Sequence, residues 1–226
     1  MDNQSRQELK ALLYEQFARM GKAFANARRL EIIDLLSQTP HTVEELASKT
    51  SLSVASVSQH LQVLRNARVV DVTREGTYAW YRLSDDRVFG IWCMMRDLAQ
   101  DRISEIDHLL RQYFNERETL ETIDAAELLR RIAEGSIIII DARPEDEYRA
   151  GHIPSALSVP IEKLESTLAV LPKNCEIVAY CRASYCLLSD EVALLLREQG
   201  YRVHVLLEGF PEWRAAGLPI EKESLN

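Results

Sequence analysis

The stretch Cys181-Arg-Ala-Ser-Tyr-Cys186 places two thiols five residues apart, directly behind the apolar run Glu176-Ile-Val-Ala-Tyr180 and ahead of a helical pattern from about Leu187. A cysteine at the carboxyl end of a strand, in a tight loop that opens a helix, faces several backbone N–H groups and the positive end of the helix dipole. Both favour thiolate over thiol and can hold an anion near the sulfur. Arg182 adds a positive charge, and the whole is a nucleophile's environment. The blander reading of Cys181 is a buried cysteine closing a strand. Cys186 also admits two readings. It is a second thiol within the roughly 4.4–6.8 Å Cα separation that a disulfide requires, or a small side chain filling the loop. The other two cysteines promise less: Cys93 sits beside Trp92 and Met94 on a core-like helix, and Cys175 reads as an incidental surface thiol.

The elements needed to position these thiols begin after residue 123. Short apolar strands at Ile137–Asp141, Glu176–Tyr180 and Val203–Leu206 alternate with helical patterns at Ala125–Glu134, about Ile161–Val170, Leu187–Gln199 and Phe210–Ala216. Such alternation is the signature of a parallel α/β sheet. The first half reads differently. Leu9, Leu12, Leu13, Phe17, Met20 and Phe24 recur at helical spacing, and Ala27 to Leu36 continues as a second helix. Thr42-Val43-Glu44-Glu45 forms a capping box for a third, and Ser53 caps a fourth, running to about Asn66. Val69–Arg74 and Thr77–Leu83 flank Glu75-Gly76 as a hairpin. Ser84-Asp85-Asp86 then caps one long helix to about Phe114, its apolar stripe running from Val88 to Tyr113. Asn115–Glu121 is polar and reads as the linker, which puts the domains at 1–118 and 119–226.

Length and composition agree with two small soluble domains. The chain has 226 residues, 46% hydrophobic and 27% charged, which excludes a disordered chain, a collagen and a disulfide-rich miniprotein. No apolar run approaches the roughly 20 residues of a membrane helix. The N-terminus lacks signal-peptide order, so a cytoplasmic protein without membrane partners is expected. The net charge of −8 taken alone argues against nucleic acid. Split at residue 118, however, 16 Lys+Arg meet 17 Asp+Glu in the first half and 11 meet 18 in the second. The acidity belongs to the second half. Within the first, Leu46–Val70 carries Lys49, Arg65 and Arg68 and no acid. That stretch fits either a phosphate-facing surface or an ordinary solvated helix pair.

Helix, turn, helix and hairpin follow winged helix-turn-helix order, in which the second helix enters the major groove. The run SLSVASVSQHLQVLRNARVVDVTREGTYAWYRL, with TVEELASKT before it, resembles the recognition helix and wing of ArsR-type repressors over roughly residues 5–115. The resemblance implies a homodimer reading an inverted repeat in double-stranded DNA. Ser53, Ser56, Ser58, Gln59 and His60 would face the groove, with Arg74 in the wing. Val54 and Ala55 depart from the usual polar pattern. Family members often sense metals through cysteine-rich or Asp/His sites, and this sequence carries neither, so no metal or cofactor is expected.

Asp141-Ala-Arg143, Glu147-Tyr148, Gly151-His-Ile-Pro154 and Glu208-Gly-Phe-Pro-Glu-Trp213 resemble the rhodanese family over roughly residues 122–222, and the six-residue loop has the sulfurtransferase length. The resemblance implies Cys181 as sulfur acceptor, Arg182 and Cys186 beside it, and support from Ala183, Ser184, Tyr185, Asp141, Arg143 and Glu147, with Arg143 and Glu147 paired. Ser155, Ser184, Glu208 and Cys186 depart from the family pattern. The expected function is a repressor whose rhodanese domain senses or carries sulfane sulfur, with a sulfane-sulfur donor or another thiol-reactive small molecule as its signal. Two alternatives stay open. One is an active sulfurtransferase tethered to a DNA-binding module, and the other is a soft-metal or arsenite-responsive repressor using Cys181 and Cys186.

Overall fold

The computed structural model describes residues 2–113, 120–135, 137–168, 171–172, 175–182 and 186–223. The chain divides into two compact units, Met1–Ala99 and Gln100–Asn226. The boundary expected at 118/119 falls outside the described residues.

The first unit is built from locally capped helices. Helix α1 (Asn3–Phe24) opens at Asp2, whose carboxylate accepts the Ser5 N–H at 2.8 Å. Asn26 opens α2 (Ala27–Gln38) in the same way through the Arg29 N–H. The expected capping box starts α3 (Val43–Thr50): Thr42 accepts the Glu45 N–H, and the Glu45 carboxylate accepts the Thr42 N–H at 2.9 Å. Ser53 caps α4 (Val54–Asn66) through the Ser56 N–H at 3.2 Å. Strands β1 (Val70–Glu75) and β2 (Tyr78–Leu83) pair antiparallel from Val70 opposite Leu83 to Glu75 opposite Tyr78. Their two-residue turn needs a left-handed first position, which Gly76 supplies at φ 60°. Ile32, Ile33, Leu46, Val57, Leu61 and Leu64 form the middle of the unit's hydrophobic core.

The single long helix expected after the hairpin is two helices, α5 (Asp86–Arg102) and α6 (Ser104–Tyr113), interrupted at Ile103. The acids Glu105 and Asp107 in the first turn of α6 suit a new helix N-terminus better than a helix interior. The last expected helical residue, Phe114, lies outside the described residues.

The second unit is a five-stranded parallel sheet in the order β3-β7-β6-β4-β5. Its strands are β3 (Glu121–Ile123), β4 (Ile137–Asp141), β5 (Leu157–Ser158), β6 (Glu176–Tyr180) and β7 (Arg202–Leu206). Helices α7 (Ala125–Glu134), α8 (Glu145–Ala150), α9 (Leu164–Leu168), α10 (Leu187–Glu198) and α11 (Phe210–Ala215) complete the α/β unit. Four features depart from the sequence expectation, the two-residue strand β5 being one. Glu121 begins an edge strand rather than ending a linker. The segment after Pro144, expected as a turn, is a helix. A 3-10 turn at Ile161–Lys163 replaces the start of the helix expected near Ile161–Val170. From β4 the chain goes outward to β5, returns to β6, then leaves on the other side to β7. The carboxyl ends of β4 and β6 therefore flank the topological switch point, where α/β sheets open a crevice.

Candidate functional site

Asp141 ends β4 and Cys181 follows β6, so the sheet brings both to that switch point. Cys181 is buried at 2% exposure, and its carbonyl accepts the Phe210 N–H of α11 at 3.0 Å. Cys186 is half-buried and stands at the N-cap of α10. The two cysteines are joined as a disulfide with a Cα separation of 6.2 Å. Of the two readings of Cys186, the pairing one describes this state. Ala183, Ser184 and Tyr185 lie outside the described residues.

Three fully buried polar side chains, Asp141, Arg143 and Glu147, each have a partner here. The Arg143 guanidinium donates to Asp141 through Nε at 3.0 Å and Nη2 at 2.6 Å, and to the Gly151 carbonyl at 2.7 Å. Burial works against its charge, but the adjoining Asp141 carboxylate outweighs this and keeps Arg143 firmly protonated. Its guanidinium also lies 4.0 Å over the Phe210 ring. Glu147 reaches the site from α8, and Arg182 grips it by donating from Nε to both carboxylate oxygens, at 3.1 and 2.9 Å, and from Nη2. The Glu147 charge also acts on Arg143, as the pairing expected from sequence would have it, but the short contacts lie elsewhere. Arg143 takes Asp141 as its fork partner, and Glu147 takes Arg182. Arg182 therefore brings to the loop a charge already matched by a buried carboxylate, and it ties Cys181's neighbour to α8.

Sequence reading missed several of the supports. The Tyr180 hydroxyl accepts the Ile153 N–H at 3.1 Å, and its burial pushes the phenol well above its ordinary range. His152 stacks on Tyr148 at 3.9 Å, and the Tyr148 hydroxyl donates to the Ala156 carbonyl. A Cβ on Gly151 would come within 3.0 Å of the Phe210 ring, so this glycine allows α11 to approach. The motifs around Gly151 and Phe210 were visible in sequence, but their contacts arise only through the fold. Ser155, where the family pattern has glycine, holds φ 63° in the left-handed region. Among the described residues no group of three or more His, Cys, Asp or Glu could hold a metal ion.

In the first unit Ser53, Ser58 and Gln59 are exposed along α4, while Ser56 and His60 are partly covered. Val57, Leu61 and Leu64 turn the opposite face of that helix into the core. Arg74 is exposed on β1, opposite Ala79.

Two family profiles match the chain. The bacterial regulatory protein, arsR family, covers residues 26–72, and the rhodanese-like domain covers residues 124–216. The HTH-type transcriptional regulator Rv0324 of Mycobacterium tuberculosis is 38% identical over 213 residues, spanning 94% of this chain and 93% of that protein. The chain belongs to the ArsR family of transcriptional regulators, with a C-terminal rhodanese domain. The rhodanese domain of this ArsR-family regulator is also similar to a sulfurtransferase of Allochromatium vinosum, 34% identical over 43% of this chain and 92% of that one. Its first unit resembles the solution structure of a homodimeric winged helix-turn-helix DNA-binding domain from Mycobacterium bovis. That fragment is 38% identical over 42% of this chain and 87% of the fragment, with a TM-score of 0.40. Among the described residues no helix is long and apolar enough to cross a membrane.

Proposed function

We propose that this ArsR-family regulator binds an inverted repeat in double-stranded DNA as a homodimer, and that sulfane sulfur accepted by Cys181 alters that binding. The observation that carries the reading is the cysteine pair at the carboxyl end of β6, at the switch point of a rhodanese domain. Cys181 is the sulfur acceptor, Asp141, Arg143, Glu147 and Arg182 fix the strand ends and loop around it, and no cofactor takes part. Ser53, Ser56, Ser58, Gln59 and His60 supply groove and phosphate contacts, and Arg74 meets the flanking backbone.

Dimerisation is supported by apolar faces that the single chain leaves uncovered. On α1, Leu12 and Phe17 are 58% and 64% exposed, and Met94 and Leu98 on α5 are 66% and 60% exposed. Exposed apolar surface in such runs marks an interaction face. A two-fold dimer then presents two copies of α4 to two half-sites.

Binding to a duplex selected by the protein from random sequence tests the reading. Inorganic polysulfide should change the affinity of the wild type and leave Cys181→Ser unmoved. Identical binding by both proteins under every condition would sink it. Thiosulfate-to-cyanide transfer that runs fast and ignores DNA would instead favour a tethered enzyme.

A further inference from the structure

We propose that Cys186 is the resolving residue of this site, converting a persulfide on Cys181 into the Cys181–Cys186 disulfide and releasing the accepted sulfur as hydrosulfide. The inference rests on Cys181 as sulfur acceptor and assigns the step that follows.

Three observations carry it. The two sulfurs are within bonding reach with the strand end and the helix start both in place, at a Cα separation of 6.2 Å. In the disulfide state Cys181 is buried at 2% exposure, whereas Cys186 is half-buried. Cys186 is also the N-cap of α10, with no side-chain capping bond of its own. A thiolate there faces the unpaired N–H groups and positive dipole end of a 12-residue helix. Cys181 is thus held at the strand end, while Cys186 is placed within reach of it at the start of a helix.

The chemistry balances. The Cys181 thiolate takes the outer sulfur of a sulfane donor, so that thiosulfate leaves as sulfite. The Cys186 thiolate then attacks the Cys181 Sγ. The bond between Sγ and the outer sulfur breaks, and that sulfur departs with the electron pair and a proton from solvent as hydrosulfide. The outer sulfur is reduced and the two cysteines are oxidised. A dithiol reductant restores both thiols and becomes a disulfide itself.

The test uses full-length, fully reduced protein treated with thiosulfate and, separately, with inorganic tetrasulfide, followed by intact and peptide mass measurement. Serine is a favoured N-cap, so Cys186→Ser keeps the start of α10. The wild type should end lighter by two hydrogens, with hydrosulfide released after thiosulfate treatment. Cys186→Ser should keep one added sulfur on Cys181. Wild type that keeps the added sulfur on Cys181 beside a free Cys186 overturns the resolving step and leaves the acceptor standing. If Cys186→Ser gains no sulfur on Cys181 from either donor, or Cys181→Ser loads Cys186 at the wild-type rate, the acceptor assignment itself falls.

Discussion

In the first unit every described Asp, Glu, Lys and Arg lies outside the core, and the buried polar residues there, such as Ser37, Gln38 and His41, are not acidic, Lys or Arg. In the second, Asp141, Arg143 and Glu147 are each fully buried beside the cysteine loop. The contrast follows what each unit has to do. A surface proposed to meet DNA needs hydrated polar side chains, and an apolar core under α4 is enough to hold that helix. In the second unit buried charge pairs tie Asp141 at the end of β4 to Arg143, and Arg182 beside Cys181 to Glu147 of α8, at the cost of desolvation. The first unit also leaves apolar faces on α1 and α5 uncovered.

The largest expected effect breaks this contrast at its deepest point. Arg143→Ala strands the Asp141 carboxylate in the interior and should destabilise the second unit by about 3–5 kcal/mol. Calorimetry should show that unit's transition move while the first unit's does not. On the other side of the contrast, Phe17→Glu puts a charge on the uncovered face of α1. It should weaken self-association at least ~100-fold, about 2.7 kcal/mol, as for loss of an interface anchor. Sedimentation should show a folded single chain. An unchanged dimer would move the interface elsewhere.

Smaller changes sharpen the comparison. Ser155→Gly relieves a left-handed φ of 63° near the second unit's site. After the extra chain entropy of glycine is counted, it should stabilise that unit by roughly 0.5 kcal/mol. Exposed charge should matter least. Arg130, and after it Arg131, hold the Glu127 carboxyl down at about 2 from an ordinary 4.5. A depressed carboxyl pKa contributes stability that is fully present above pH 4.5 and is lost as pH falls toward about 2. Glu127→Gln should lower the melting temperature slightly at neutral pH, leave it nearly unchanged near pH 2, and so flatten its decline across that acid window.

Local signals were legible where the chain supplies its own partners. The Thr42/Glu45 box, the Ser53 cap and Gly76 in the hairpin turn each act within a few residues, and all three form as expected. The strands β3 and β5, of three and two residues, carry too little pattern to be read alone and exist because β7 and β4 pair with them. Helix α8 hides behind Pro144 in an acid-rich hexapeptide. Its placement decides that Glu147 meets Arg182, which spacing along the chain could not show. Cys181 and Cys186 were legible because a strand end, a loop and a helix start are consecutive in sequence.

The central claim is that cysteine chemistry in the second unit reaches the DNA surface of the first. It is tested most directly by the dissociation constant of the full-length protein for its selected duplex in three defined states: reduced, disulfide and re-reduced with a dithiol. A coupling of ordinary size predicts a change of about tenfold, ~1.4 kcal/mol, between the first two states. The third state should restore the first, and Cys181→Ser should show no change. One dissociation constant shared by all three states of the wild type would contradict the claim.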